Sequence, residues 1–312
     1  MKYNIKLFLI MMSFFSIIFK RKNIQKKNSD VKVCLCTLGK NENRYAREFV
    51  EYYKKLDVDK IYLYDNNDLL GEKFEDVIKD YIDSGYVEIL NWRGQTKQLL
   101  NIMNDCYLKN NKNYDWLIFF EFDEYVFLKD FYSIKAYLND YRFYHCKKIY
   151  LNWLMHTDNN LLYYDNRPLS VRFPEIENLT RRKIKGGLST VKSIIRGRIR
   201  NMKIECVHKL SNNIEGCNGF GKKINLIGIQ TNKTDYKYYY IDHFFSKSTE
   251  EFINKINKGC PLYAGNINYK LERIKTYFGY NIVTLEKITM IEKLTGFNLS
   301  KLREKNKNIF SV

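Results

Sequence analysis

Glu121, Asp123 and Glu124 follow an apolar run in the stretch WLIFFEFDEY at 116–125. If that run is a strand, side chains alternate and Glu121 and Asp123 project to one side. Two carboxylates so close repel each other, and a cation between them removes the conflict. Mg²⁺ and Mn²⁺ take oxygen ligands and keep waters and substrate phosphates in their shell. The pair therefore suits a divalent metal held against a diphosphate. The plainer reading is a solvated strand end whose acids pair with lysines. Of the 4 histidines, His208 follows KIECV and His243 follows YYYID, each expected near the end of an apolar strand. Either can ligate a metal as neutral imidazole or bind phosphate as a cation. His243 has the better company, since Lys247, Ser248 and an expected helix start lie just beyond it, an arrangement suited to anions.

These groups need a scaffold. From Val31 onward, VKVCLCTL, KIYLYDNND, VEILNW and DWLIFFEF read as strands, separated by helices over 45–56, 74–83 and 95–109. Strands alternating with helices argue for a parallel sheet, whose ligands bind beyond the carboxyl ends of its strands. At that edge the first loop supplies Thr37, Lys40, Asn41 and Glu42, and the second strand supplies Asp65, Asn66 and Asp68. Asp65 is placed to accept from ribose hydroxyls or a base N–H, and Lys40 and Arg93 to meet phosphate. Ordinary turn chemistry explains each residue singly; their coincidence at one edge points to a pocket. Further on, KIYLNWLM and KYYYIDHFF read as strands. SKSTEEFINKINKG reads as a helix that starts on a Ser248/Glu251 capping box and closes at Gly259, and 271–302 as an interrupted helical tail.

The composition is globular, with 45% hydrophobic residues in 312, and a formal charge of +18 suits phosphate-bearing ligands, anionic headgroups or nucleic acid. The 7 cysteines are irregularly spaced and read as free thiols in a reducing compartment. At the N-terminus, LFLIMMSFFSIIF at 7–19 precedes the basic run KRKNIQKK at 20–27. As a helix the apolar segment falls short of the ~30 Å hydrocarbon core. It reads as a membrane-surface anchor with the rest of the chain on the cytoplasmic face.

KNE at 40–42, YDNND at 64–68, NDCY at 104–107 and YDWLIFFEFDEY at 114–125 resemble, in order, the motifs of a glycosyltransferase group, the family-92-like enzymes related to family 2. LNWLMHTDNN, YYDNRPLSVRF, VKSIIRG, VHKL, CNGFG and DHFFSKSTEEFINK continue the match to about residue 259. The resemblance implies a GT-A fold: a mixed, mostly parallel α/β sheet flanked by helices. A Rossmann-like nucleotide-sugar half at 31–130 would continue into an acceptor half at 131–260, with 1–30 as the membrane-associating segment and 261–312 as a helical extension. It implies transfer of a sugar from a nucleotide-sugar donor, a UDP-sugar, to a glycan or glycolipid acceptor. Glu121 and Asp123 would serve as a D-x-D-like element for Mn²⁺ or Mg²⁺, with His243 completing the coordination. Glu121 departs from the usual Asp. Thr37, Lys40, Asn41, Glu42, Asp65, Asn66, Arg93 and Lys247 would face the donor, and Trp153, His156 and Arg172 the acceptor. Asp158 is the candidate proton acceptor, with Glu175 and Asp165 as rivals. Two other classes compete: a two-metal phosphohydrolase or nucleotidyltransferase, and a non-catalytic basic protein binding membranes or nucleic acid through 181–200. No nucleic-acid motif accompanies that basic stretch, so no nucleic-acid partner is expected.

Overall fold

A computed structural model describes residues 31–184, 186–259 and 267–305. The proposed N-terminal anchor at 1–30 lies outside the described residues. Among them, no helix is long and apolar enough to cross a membrane.

Four strands alternate with three helices as the pattern predicts: β1 (Val33–Gly39), α1 (Asn43–Lys55), β2 (Lys60–Asp65), α2 (Glu75–Asp83), β3 (Val87–Asn91), α3 (Leu99–Asn110) and β4 (Trp116–Phe119). They lie side by side in the order β3-β2-β1-β4, all parallel. β1, β2 and β4 are largely apolar because both faces are covered. One face of α1, with Ala46, Phe49, Val50 and Tyr53 fully buried, packs Phe49 4.7 Å from Phe122. Burial of a Phe or Val side chain there contributes about 2 kcal/mol.

The sheet then continues through β7 (Ser189–Arg196), β6 (Lys148–Met155), β11 (Tyr239–His243) and β5 (Glu124–Leu128). Antiparallel pairs concentrate in this half, where β4 meets β7, β7 meets β6, and β11 meets β5. The sheet is thus mixed, with 11 strands when the short β8 (Gly216–Asn218), β9 (Lys223–Ile224) and β10 (Gln230–Thr231) are included. Short helices α4 (Ile134–Leu138), α5 (Leu169–Arg172) and α6 (Leu179–Ile184) fill the connections. α7 (Thr249–Asn257) opens on the expected capping box and is followed by Gly259 at φ +82°. The C-terminal helices α8 (Ile267–Tyr280), α9 (Leu285–Thr295) and α10 (Ser300–Lys305) pack on α7 through Phe252, Ile274, Tyr277 and Ile288.

Three local readings change. Glu121 and Asp123 do not extend β4; they occupy the turn between β4 and β5, with Glu124 opening β5, so the chain reverses through them. KIECVHKL forms no strand, only an isolated bridge between Cys206 and Leu210, which leaves His208 on a loop. The free-thiol expectation is overturned: Cys36 pairs with Cys106 and Cys146 with Cys217. The partners are 70 and 71 residues apart, so spacing alone conceals them. Cys34 and Cys206 remain free among the described residues.

Candidate functional site

The carboxyl ends of β1 to β4 open onto a cleft of about 510 Å³, lined there by Lys40, Glu42, Asn66, Gln95, Thr96, Lys97, Glu121 and Asp123. The first loop turns tightly because Gly39 has no side chain: a Cβ would lie 2.3 Å from the Phe74 ring. Asn41 sits at φ 54° and its N–H donates to Asn67 Oδ1 (2.7 Å), tying the first loop to the second. Asn66 Nδ2 donates to the carbonyls of Trp92 and Gln95, joining the second loop to the third. The loops thus hold one another in place.

At the centre stand Glu121, Asp123 and His243. The β5–β11 ladder pairs Glu124 with His243, and the Phe244 N–H donates to the Asp123 carbonyl (2.9 Å). That register brings His243 Nε2 to 3.7 Å from Asp123 Oδ2. Burial disfavours charge on His243 and holds its pKa below the usual range even with Asp123 beside it, so the imidazole is neutral. Its Nδ1 is buried without a hydrogen-bond partner. Burial also opposes ionisation of Asp123, but Lys255, at 2.5 Å, outweighs it and holds the carboxyl well below its usual value. Glu121 points elsewhere, to the buried ammonium of Lys192 at 2.8 Å. Desolvation works against its charge, yet Lys192 holds it down at about 2. Beneath it, the fully buried Glu124 accepts from the Glu121 N–H (2.9 Å), and burial drives its pKa up to about 8 against the pull of Lys192. Trp153 lines the cleft with its ring centroid 4.1 Å from that of His243.

The sequence profile of glycosyltransferase family 92 matches residues 29–279. The chain belongs to glycosyltransferase family 92. A family 92 protein of Oryza sativa subsp. japonica is 26% identical over 110 residues, which are 35% of this chain and 18% of that one. Another, from Ricinus communis, is 27% identical over 97 residues, 31% of this chain and 17% of that one. The matched stretch is thus less than a fifth of those relatives' length. A crystal structure of S. aureus TarS in complex with UDP-GlcNAc aligns over 88% of this chain and 85% of that one, at 13% identity and a TM-score of 0.38. That likeness is too weak to bear on function.

Within this family 92 chain, the remaining expected site residues divide by burial. Asp65 is nearly closed to solvent and committed to Arg93 (2.6 Å) and to Asn67. Arg93 also donates to the carbonyls of Asp68, Gly71 and Glu72, so it clamps the second loop from the third. Lys247 is buried 3.4 Å above the Tyr45 ring, near Glu42. Thr37 is buried, its Oγ1 without a partner, beside a smaller cavity. Two acceptor candidates and the candidate proton acceptor lie away from the cleft. His156 is buried between the Phe173 carbonyl and Asp242, and Arg172 is locked to Glu251 at 2.7 Å. Asp158, the expected proton acceptor, is sealed in by Tyr277 Oη (2.5 Å) and Lys287 Nζ (2.7 Å). None of the three lines the cleft.

Other groups face the cleft that the motif reading did not assign: Glu205, His208, Lys255, Lys258, Lys270 and Arg273. His208 Nδ1 lies 3.1 Å from the Val191 carbonyl, and burial, with Lys192 adding to it, lowers its pKa to about 4, leaving a neutral ring. Lys258 donates to the Lys40 carbonyl and to Glu42, fastening the first loop to α7. Lys255 and Lys258 are three apart on that helix, a spacing visible in FINKINK, but nothing local says which loops they meet.

The donor set of Asp123, His243 and Glu121, two carboxylates and a neutral imidazole, is chemically suited to Mn²⁺ or Mg²⁺. Their ligand atoms are not gathered: among the described residues, the group of three candidate ligands within 4.8 Å is His145, Cys146 and Cys217, and its cysteines are joined in a disulfide. Convergence on Asp123 Oδ2 requires Lys255 to leave it.

Proposed function

We propose that this chain transfers a sugar from a nucleotide-sugar donor, a UDP-sugar, to a glycan or glycolipid acceptor. One observation supports this most: the cleft beyond four parallel strand ends presents carboxylates and a neutral histidine beside several cations. Such a mix suits a hydroxylated ligand carrying a diphosphate. Asp123 and His243, with Glu121 alongside, would hold Mn²⁺ or Mg²⁺, which supplies positive charge to the departing diphosphate. Lys40, Lys255, Lys270 and Arg273 add cationic charge around the same space, so negative charge developing on the leaving group meets positive partners. Trp153 offers a flat apolar face to a sugar ring. Attachment to an anionic membrane surface through the basic run at 20–27 belongs to this proposal too.

The nucleic-acid-binding alternative loses its main support. In the basic stretch 181–200, Arg182 pairs with Glu177, Lys192 with Glu121 and Arg198 with Asp115, while Arg196 caps the carbonyls of Phe143 and Cys146. These four charges are engaged within the fold. The test is a panel of nucleotide sugars titrated into the protein with Mn²⁺, followed by assay for nucleoside diphosphate release with glycan acceptors. The proposal expects saturable binding of at least one donor and its turnover; no binding across the panel contradicts it.

A further inference from the structure

We infer that Lys255 is an exchange residue: its ammonium competes with a divalent cation for Asp123 and passes to the donor's diphosphate once cation and donor are loaded. The inference rests on the transferase reading above and concerns how that site is charged and discharged.

The geometry sets up a competition at one atom. Asp123 Oδ2 lies 2.5 Å from Lys255 Nζ and 3.7 Å from His243 Nε2. A metal ligated by that oxygen and that nitrogen would stand against the ammonium, and two cations do not share the position. The other carboxylate of the pair is held differently. Lys192, 2% exposed, is locked between Glu121 and Glu124. Lys255 is 27% exposed, lines the cleft and reaches Asp123 from α7 across the Phe245 ring, 4.7 Å away. Its four-carbon stem can swing while the helix stays fixed by its capping box. An ammonium has three donors, and the cleft space beside Lys255 is where Lys270 and Arg273 also point. Displaced from Asp123, it therefore has a destination if a diphosphate is present. Cation and donor then assist each other's binding, because the ammonium the first releases is one the second takes up.

The test uses the full chain and two probes, Mn²⁺ alone and UDP with saturating Mn²⁺, each titrated into wild type, Lys255→Met and Lys255→Arg. Met keeps the stem over Phe245 and removes the charge; equal melting temperatures confirm that the variants are folded. Lys255→Met should bind Mn²⁺ alone at least about 5-fold more tightly, the low end of ordinary coupling between sites. It should bind UDP roughly 10-fold more weakly, as loss of one charge-assisted hydrogen bond implies. Lys255→Arg should stay near wild type in both. Unchanged or weaker Mn²⁺ binding in Lys255→Met overturns the inference, as does undiminished UDP affinity. Wild type that binds Mn²⁺ but no nucleotide overturns the transferase reading instead, and the Mn²⁺ titration still decides the competition.

Discussion

Glu124 and Asp158 are both buried carboxylates, and their surroundings treat them in opposite ways. Asp158 has Lys287 and Tyr277 against it. Asp158→Asn breaks a buried ion pair and should cost about 3 kcal/mol or more in urea unfolding, while leaving nucleotide affinity unchanged; a lost affinity with intact stability would restore it to the cleft. Glu124 keeps one oxygen without a partner, and burial raises its pKa from 4.5 to about 8. The folded protein then holds this proton more tightly than the unfolded chain. Its contribution is fully present below about pH 4.5 and is lost as pH rises through about 8. In chelator, wild-type stability should therefore fall relative to Glu124→Gln between those limits; parallel curves would remove the assignment. Asp123 and His243 were legible at this scale because each follows an apolar run at a strand's end. Asp158, His156 and Arg172 looked equally available in sequence. Their burial was not legible, since Tyr277, Asp242 and Glu251 lie 119, 86 and 79 residues away.

Among the elements, α7 carries the greatest functional weight. Its first turn is fixed by Ser248, whose Oγ donates to Glu251 (2.6 Å), and Glu251 in turn holds Arg172 and Tyr45. Four residues after Glu251, the same helix presents Lys255 to Asp123, and Lys258 at its C-terminal end meets the first loop. Ser248→Ala should lower stability by about 1 kcal/mol and, by loosening the helix, weaken nucleotide binding as well. Stability lost with affinity intact would separate the cap from the site. This cap was readable from S-x-x-E spacing, as were β1 to β4 and their common edge from apolar runs alternating with helical segments. The β4–β5 reversal was not. An apolar strand that stops at Phe119 and one that runs on through Phe122 have the same local pattern, and what decides between them is the distant pairing of β5 with β11.

For the whole molecule, two disulfides staple segments about 70 residues apart, one inside the parallel half and one joining the loop before β6 to β8. Each should contribute about 2–4 kcal/mol. Disulfides persist in oxidising compartments, which argues against the reducing compartment that the cysteine spacing suggested. Alkylation of the unfolded, unreduced protein should leave Cys36, Cys106, Cys146 and Cys217 unmodified by mass spectrometry; labelling of all four would contradict the pairing. The fold's central claim is that these layers bring Asp123 and His243 together to hold a cation against a nucleotide diphosphate. The most direct measurement is the affinity of wild type and Asp123→Ala for a nucleotide sugar, with and without Mn²⁺. The account predicts Mn²⁺-dependent binding in wild type that falls by about 100-fold in Asp123→Ala, as for removal of a close charged partner. Equal affinity in the two proteins, with Mn²⁺ making no difference, would contradict it.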